Sequence, residues 1–263
     1  MAEQGEPSAE LRALAGLALV AGREILDIYG RDIAVSVKDD LSPVTEADEV
    51  AEKVILAGLA RLAPGIPVIA EEAAAAGKCP PISSRFYLVD PLDGTKEFIG
   101  RNGEFTVNIA LVERGIPVAG VVYAPALRRL YIGEVGIGAF EAEAEPDQEA
   151  LIWKRIATRP RPADGLIVVA SRSHRDKETE AFLDTQPVKE LVSAGSSLKF
   201  CLLACGKADL YPRFGRTMEW DIAAGHAVLA AAGGRVETAD GQPMTYGKTA
   251  RGYDNPAFIA WAN

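Results

Sequence analysis

Tyr87-Leu-Val-Asp-Pro-Leu-Asp-Gly-Thr-Lys-Glu-Phe98 joins an apolar run to a turn that carries two carboxylates three residues apart. Phe86 to Val89 reads as a short buried strand. Pro91 biases Asp90 toward extended backbone and favours a tight turn. Gly94 permits a close backbone approach, and Thr95 opens a short helix whose first N–H groups can hold a phosphate. One segment thus offers the Asp90 and Asp93 carboxylates, the Leu92 carbonyl between them and a nest for an anion. These are the oxygen donors that a hard divalent cation takes, beside a place for the phosphate it would bridge. An Asp-Pro turn followed by an Asp N-cap explains the same residues without any ligand.

Three further segments carry the same chemistry. Val68-Ile-Ala-Glu-Glu72 puts a carboxylate pair after a short strand, Pro67 to Ala70. Ser42-Pro-Val-Thr-Glu-Ala-Asp48 makes Thr45 the N-cap of a helix over 46–62, with Asp48 in its first turn, where the macrodipole favours a carboxylate. Glu219-Trp-Asp221 precedes the small-residue run Ile222-Ala-Ala-Gly-His226. Taken singly, each is equally a solvated charge pair or a helix cap.

The remaining pattern sets the fold class. Apolar residues recur at helical spacing from Glu10 to Tyr29, and Gly30 is a natural stop. Ile33, Val35 and Val37 alternate as a strand, and 39–43 reads as a loop. Phe105 to Val112 and Ile116 to Tyr123 form a hairpin over Arg114-Gly115, which Leu130 to Gly133 extends. The acidic stretch Glu141 to Gln148 marks a boundary. After it, strands at Leu166–Ala170, Val188–Val192, Ala208–Tyr211 and Phe258–Trp261 alternate with helices at Ser197–Cys205 and Asp221–Ala232. The class is α/β: an α+β N-terminal region, 1–145, with an antiparallel sheet and most candidate ligands, and an α/β C-terminal region, 146–263, that completes the site.

Composition narrows the function. The chain has 263 residues, 48% hydrophobic and 25% charged, which excludes disorder as its main state. Lys plus Arg number 28 against 37 Asp plus Glu, a formal charge of −9 and the wrong sign for a nucleic-acid polymer binder. An acidic protein that acts on small phosphates needs a cation to offset the repulsion. Three cysteines without framework spacing point to a reducing compartment, and two histidines leave little for a structural zinc site. Arg23, Glu24 and Asp27 interrupt the apolar run Leu11 to Tyr29, so it is no membrane span. Glu3, Glu6 and Glu10 stand where a signal peptide is basic. A cytoplasmic location is expected. Nucleophile-elbow, dinucleotide and P-loop fingerprints are absent. Cys201 and Cys205 read as small packing residues, and His174 and His226 as structural.

In combination and in this order, the motifs resemble the lithium-sensitive, Mg²⁺-dependent phosphatase superfamily. That group includes inositol monophosphatases, fructose-1,6-bisphosphatases and 3'(2'),5'-bisphosphate nucleotidases. The wording is closest to the CysQ-type nucleotidase branch: Asp90-Pro-Leu-Asp-Gly-Thr-Lys-Glu-Phe-Ile99, Asn102-Gly-Glu-Phe-Thr-Val-Asn-Ile-Ala-Leu111, Gly195-Ser-Ser-Leu-Lys-Phe200 and Gly206-Lys-Ala-Asp-Leu-Tyr211. Inositol monophosphatases usually have Asn where Glu97 stands. Ala70 departs from the Gly or Ser more usual before the Glu pair.

The resemblance implies a layered αβαβα sandwich of the inositol monophosphatase/fructose bisphosphatase type, with the site between the two halves. It implies two or three Mg²⁺ ions held by Glu71, Asp90, Asp93, Asp221 and the Leu92 carbonyl. Asp48 and Thr95 would orient and deprotonate the attacking water, and the Gly94 and Thr95 N–H groups would hold phosphate oxygens. Lys199 would meet the second phosphate of a bisphosphate, with Lys96 and Arg213 as further cations. Glu219 would stand near the sugar, and Glu72 ranks below Glu71 as an outer acid or a ligand of a further ion. The charge count agrees: five clustered carboxylates carry about −5, which two divalent ions largely offset. The expected substrate is a small phosphate monoester, first 3'-phosphoadenosine 5'-phosphate and alternatively an inositol or sugar monophosphate. A catalytically silent metal-binding or regulatory protein is the reading from another class. Homodimer formation and peripheral contact with the inner membrane are left open.

Overall fold

The computed structural model describes residues 5–31, 35–37, 43–145, 148, 150–170 and 177–263. Ile33, residues 39–42 and His174 lie outside the described residues. Helix α1 (Ala9–Tyr29) starts where the Ser8 side chain accepts from the Leu11 N–H at 3.0 Å. Strands β1 (Val35–Val37) and β2 (Pro43–Thr45) form an antiparallel ribbon. Thr45 then caps α2 (Glu46–Leu62), as the sequence predicts, and Asp48 closes a capping box that the sequence reading did not name.

The next elements build one sheet: β3 (Val68–Ala70), β4 (Arg85–Asp93), β5 (Thr106–Glu113), β6 (Ile116–Ala124), β7 (Arg129–Glu134), β8 (Gly138–Glu143) and β9 (Lys154–Ile156). Their spatial order is their chain order, with β3 and β4 parallel and the rest antiparallel. Two short helices interrupt the chain between these strands, α3 (Glu71–Ala75) and α4 (Thr95–Ile99).

The structure differs from the sequence reading at β4. The strand does not turn at Asp90-Pro91. Asp90 still pairs with Asn108, and after a register shift Asp93 pairs with Thr106. Pro91 has no N–H to give the ladder, so the chain bulges there and pairing resumes beyond it. The acidic stretch also ends no sheet. β9 pairs with β8 and so belongs to the first sheet, although it follows residue 145.

The second sheet comprises β10 (Leu166–Ala170), β11 (Val188–Ser193), β12 (Leu210–Arg213), β13 (Arg235–Thr238) and β14 (Phe258–Trp261). Its order is β11-β10-β12-β14-β13. β10 is parallel to β11 and β12, whereas β14 is antiparallel to β12 and β13. Helices α5 (Lys177–Leu183), α6 (Leu198–Ala204) and α7 (Glu219–Ala231) connect these strands.

Alternation along the first sheet sorts its side chains into two cores. Tyr87, Val89, Ile109 and Val121 pack under α1 and α2, against Leu14, Ile25 and Ile55. Phe86, Leu88 and Val122 point the other way, into Phe200 of α6 and Ala224 and Val228 of α7. Val169, Tyr211 and Phe258 of the second sheet close this core from the far side. Leu183 of α5 covers the outer face at Leu166, Val168 and Leu210. The layers are therefore αβαβα. α7 lies directly on the first sheet because two strand positions lack a Cβ: one on Gly120 would collide with the Ala224 carbonyl, and one on Gly133 would lie 2.7 Å from Val228 Cα. Among the described residues no helix is long and apolar enough to cross a membrane.

Candidate active site

Four elements deliver the candidate residues to one place: the first turn of α2, the start of α3, the end of β4 running into α4, and the first turn of α7. Asp48 is buried at 1% exposure. Its Oδ2 accepts from the Thr45 N–H at 2.8 Å and the Thr45 hydroxyl at 2.7 Å. Its Oδ1 accepts from the Thr95 hydroxyl at 3.3 Å, and that hydroxyl lies 3.5 Å from the Leu92 carbonyl. The structure thus brings Asp48 and Thr95 together. Gly94 precedes Thr95 at φ +92°, and a Cβ there would collide with Ser196 Oγ. That Oγ lies 2.8 Å from both the Asp93 and Glu104 carbonyls, so it binds the turn to the start of α6.

The carboxylates crowd. The Glu71 carboxylate lies close enough to Asp90 to oppose its charge. Burial, reinforced by Glu71, Asp93 and Asp221, holds Asp90 well above the usual carboxylate range. Asp90 Oδ1 also accepts from the Leu92 N–H at 3.0 Å, which fixes the Pro91–Leu92 peptide plane. Asp93 is pushed up to about 6 by burial, against the lowering charge of Lys199 and with Glu71 adding to the rise. Burial, then Asp93 and Glu71, likewise hold Asp221 well above the usual range. In these side-chain positions no three carboxylate, thiol or imidazole groups among the described residues already stand as a metal-ligand set. What they share is charge proximity. The donor chemistry fits a hard divalent cation: all oxygen, mutually repelling, with Asp90 buried and Glu71, Asp93 and Asp221 partly buried, and with Lys199 nearby as a cation.

Lys199 is 6% exposed on α6. Its Nζ donates to the Ala194 carbonyl at 3.2 Å and lies 5.5 Å from the Tyr211 ring centre. Burial pushes its pKa down to about 8, while Asp93 acts to raise it and Arg213 to lower it. Arg213 ends β12 and donates to the Arg216 carbonyl at 3.2 Å. Lys96 is exposed on α4, and Glu72 is half-buried on α3. A cavity of about 390 Å³ opens beside the cluster, lined by Glu71, Asp221, Met218, Trp220 and Tyr253 among others, a size suited to a small molecule.

Glu219 opens α7. It has no exposure. Its oxygens accept from the Gly247 N–H at 2.7 Å and the Lys248 N–H at 2.8 Å, with Lys248 Nζ 2.8 Å away. Its carboxylate therefore serves the 247–248 loop instead of an open surface. His226, at the floor of α7, meets the Tyr246 hydroxyl through Nδ1 at 2.9 Å, and burial pushes its pKa down to about 3. Cys201, buried in α6, and Cys205, half-buried at its C-cap, are free thiols packed against the core, as expected.

Sequence reasoning missed two residues that shape the cluster. Buried Asn108 donates through Nδ2 to Asp93 Oδ2 at 3.4 Å and to Ser197 Oγ at 3.0 Å, and the Ser197 hydroxyl donates to the Asp221 carbonyl at 2.8 Å. The register of β4 on β5 places Asn108 opposite Asp90, a signal that appears only once strand pairing is known. Buried Glu52 accepts from the Glu72 N–H at 2.7 Å and the Ala73 N–H at 2.9 Å. It stands one helical turn after Asp48, on the same face of α2.

Comparison with known proteins identifies the family. Residues 7–260 match the model of the inositol monophosphatase family. A 3'(2'),5'-bisphosphate nucleotidase CysQ from Salmonella typhimurium is 46% identical over 252 residues, covering 94% of this chain and 98% of the relative. The crystal structure of CysQ from Bacteroides thetaiotaomicron superimposes with a TM-score of 0.79 at 41% identity, over 96% of this chain and 97% of that one. An inositol monophosphatase from Anabaena superimposes with a TM-score of 0.73 at 26% identity, over 96% and 90% of the two chains. The two sheets, the Asp48–Thr95 pair and a match that spans nearly the whole chain lead to one conclusion: this protein is a member of the inositol monophosphatase family.

Proposed function

We propose that this phosphatase is a Mg²⁺-dependent bisphosphate nucleotidase that converts 3'-phosphoadenosine 5'-phosphate and water to AMP and phosphate. The observation that carries the reading is the gathering of Asp90, Asp93 and Asp221, all with raised pKa, beside the Asp48–Thr95 pair and buried Lys199. Crowded like charges ask for neutralisation, and a substrate phosphate would add more of the same sign. Glu71, Asp90, Asp93, Asp221 and the Leu92 carbonyl would hold two or three Mg²⁺ ions. Bound there, the ions would supply water activation and charge stabilisation for in-line displacement at phosphorus.

The chain's own groups do the rest. Thr95 Oγ1, its proton directed at Asp48 Oδ1, turns its lone pairs to the attacking water. A proton leaving that water passes to Thr95 as the threonine proton passes to Asp48. A threonine hydroxyl is a poor base alone, so the carboxylate is required. The Gly94 and Thr95 N–H groups hold phosphate oxygens. The water oxygen bonds to phosphorus as the bond to the ribose oxygen breaks; that oxygen takes its proton from solvent water, and the proton held at Asp48 returns to solvent, which restores the balance. Lys199 and Arg213 provide charge for the second phosphate. The naming of the 46%-identical relative supports a nucleotide over an inositol phosphate.

The test is phosphate release with Mg²⁺ from 3'-phosphoadenosine 5'-phosphate, inositol 1-phosphate and fructose 1,6-bisphosphate at equal concentration. The expected nucleotide preference in kcat/KM is about a hundredfold or more, roughly 2.7 kcal/mol at the transition state. Preference for inositol phosphate would transfer the reading to an inositol monophosphatase. Mg²⁺ binding without phosphate release from any of them would leave a silent metal-binding protein.

A further inference from the structure

We propose that Glu52 is a positioning residue for the cation site, acting through the backbone that carries Glu71 and Glu72. The proposal rests on the reading of Glu71 as a cation ligand. α3 begins in an unusual way. Its N-cap is Ala70, which makes no side-chain capping bond. A helix start leaves its first N–H groups without partners, and alanine at the cap forgoes the usual remedy. Here the remedy comes from α2. The Glu52 carboxylate, 6% exposed, takes the Glu72 N–H on one oxygen at 2.7 Å and the Ala73 N–H on the other at 2.9 Å.

A buried carboxylate beside two other glutamates is costly unless its bonds return the cost. Two charge-assisted bonds to adjacent N–H groups do so, and they fix both the position and the rotation of the first turn of α3. Glu71 is the first residue of that turn. Asp48 and Glu52 are four residues apart on one face of α2. One rigid helix therefore sets the distance between Thr95, held through Asp48, and Glu71, held through Glu52. An amide at position 52 can serve only one of the two N–H groups, because its other terminal atom is itself a donor.

The experiment compares Glu52→Gln, Glu52→Asp and Glu71→Gln in the full chain. Mg²⁺ binding is measured by calorimetric titration without substrate, together with the Mg²⁺ dependence of phosphate release and the melting temperature in chelator. Glu52→Gln is expected to weaken calorimetric Mg²⁺ binding roughly ten- to a hundredfold, the scale seen for groups that orient ligands. It should raise the Mg²⁺ needed for half-activity in parallel, with substrate KM at saturating Mg²⁺ within about twofold of wild type. Glu52→Asp, which keeps the charge on a shorter arm, should fall between the two, and it provides the same readout should Glu52→Gln fail to fold. Weakened binding by Glu71→Gln alongside wild-type binding by both Glu52 variants would overturn the positioning role alone. Wild-type binding by Glu71→Gln would overturn the ligand reading and the positioning role with it.

Discussion

Thr95 donates its hydroxyl proton to Asp48 at 3.3 Å, across the 47 residues that separate the start of α4 from the first turn of α2. The other Asp48 oxygen is fully used by Thr45, so the carboxylate cannot rotate away without breaking the cap of α2. Thr95→Ala should lower kcat by roughly 10²- to 10⁴-fold, the scale of a lost general base. Its melting temperature should stay close to wild type, because the Thr95 side chain is only half-buried. Steady-state kinetics with a thermal melt checks this, and a wild-type kcat would remove the pair from the mechanism.

Asp93 is where function and stability conflict. Burial and Glu71 oppose its charge, which pushes it up to about 6. Asp93→Asn should abolish turnover through loss of Mg²⁺, while the metal-free variant melts no lower than wild type in chelator. Activity assays with differential scanning fluorimetry decide it. Retained turnover would exclude Asp93 as a ligand.

Protons should compete with Mg²⁺. Asp93 at about 6 lies above the value of about 3.9 in an unfolded chain. Asp90 and Asp221 shift in the same direction. The folded, metal-free protein therefore keeps protons that the unfolded chain has released, and the associated stability is present at low pH and lost as pH rises through about 6. His226, pushed down to about 3, works the other way by refusing a proton the unfolded chain accepts. It opposes three carboxyls. Mg²⁺ binding should be tighter at about pH 7.5 than at about pH 5.5 and should release protons. Calorimetry in buffers of different ionisation enthalpy reads both, and a pH-independent affinity without proton release would contradict the assignment.

Lys199 offers a test of substrate class. It is the buried cation of the cluster, held by Ala194 and facing Tyr211. Lys199→Met keeps most of its volume and removes the charge. The variant should lose kcat/KM on a 3',5'-bisphosphate at least about tenfold more than on a monophosphate, about 1.4 kcal/mol of discrimination. Equal losses would place Lys199 at the reacting phosphate instead.

What could be read in the sequence was local chemistry. Thr45 and Asp48 are legible because an N-cap and a first-turn carboxylate lie within four consecutive residues. Gly94 is legible because a turn at positive φ excludes a Cβ. Pro91 misled: proline marks a break in hydrogen bonding, and a bulge and a turn share that signature until the partner strand is known. β9 was invisible because three residues between loops carry no period. Glu52 looks like any solvated glutamate on a helix, since its partners lie on another helix 20 and 21 residues away. Glu219 sat in the right motif, yet its oxygens turn to a loop some 28 residues later. The ligand types were thus written in short motifs, and their supports in tertiary pairing.

The contact of α7 with Gly120 and Gly133 has a mechanical consequence. Asp221 belongs to a helix that joins the second sheet, yet that helix is seated on the backbone of the first. Prising the two sheets apart like a jaw would have to unseat the whole helix. Asp221 therefore projects from a welded joint, and the two sheets move as one body around it.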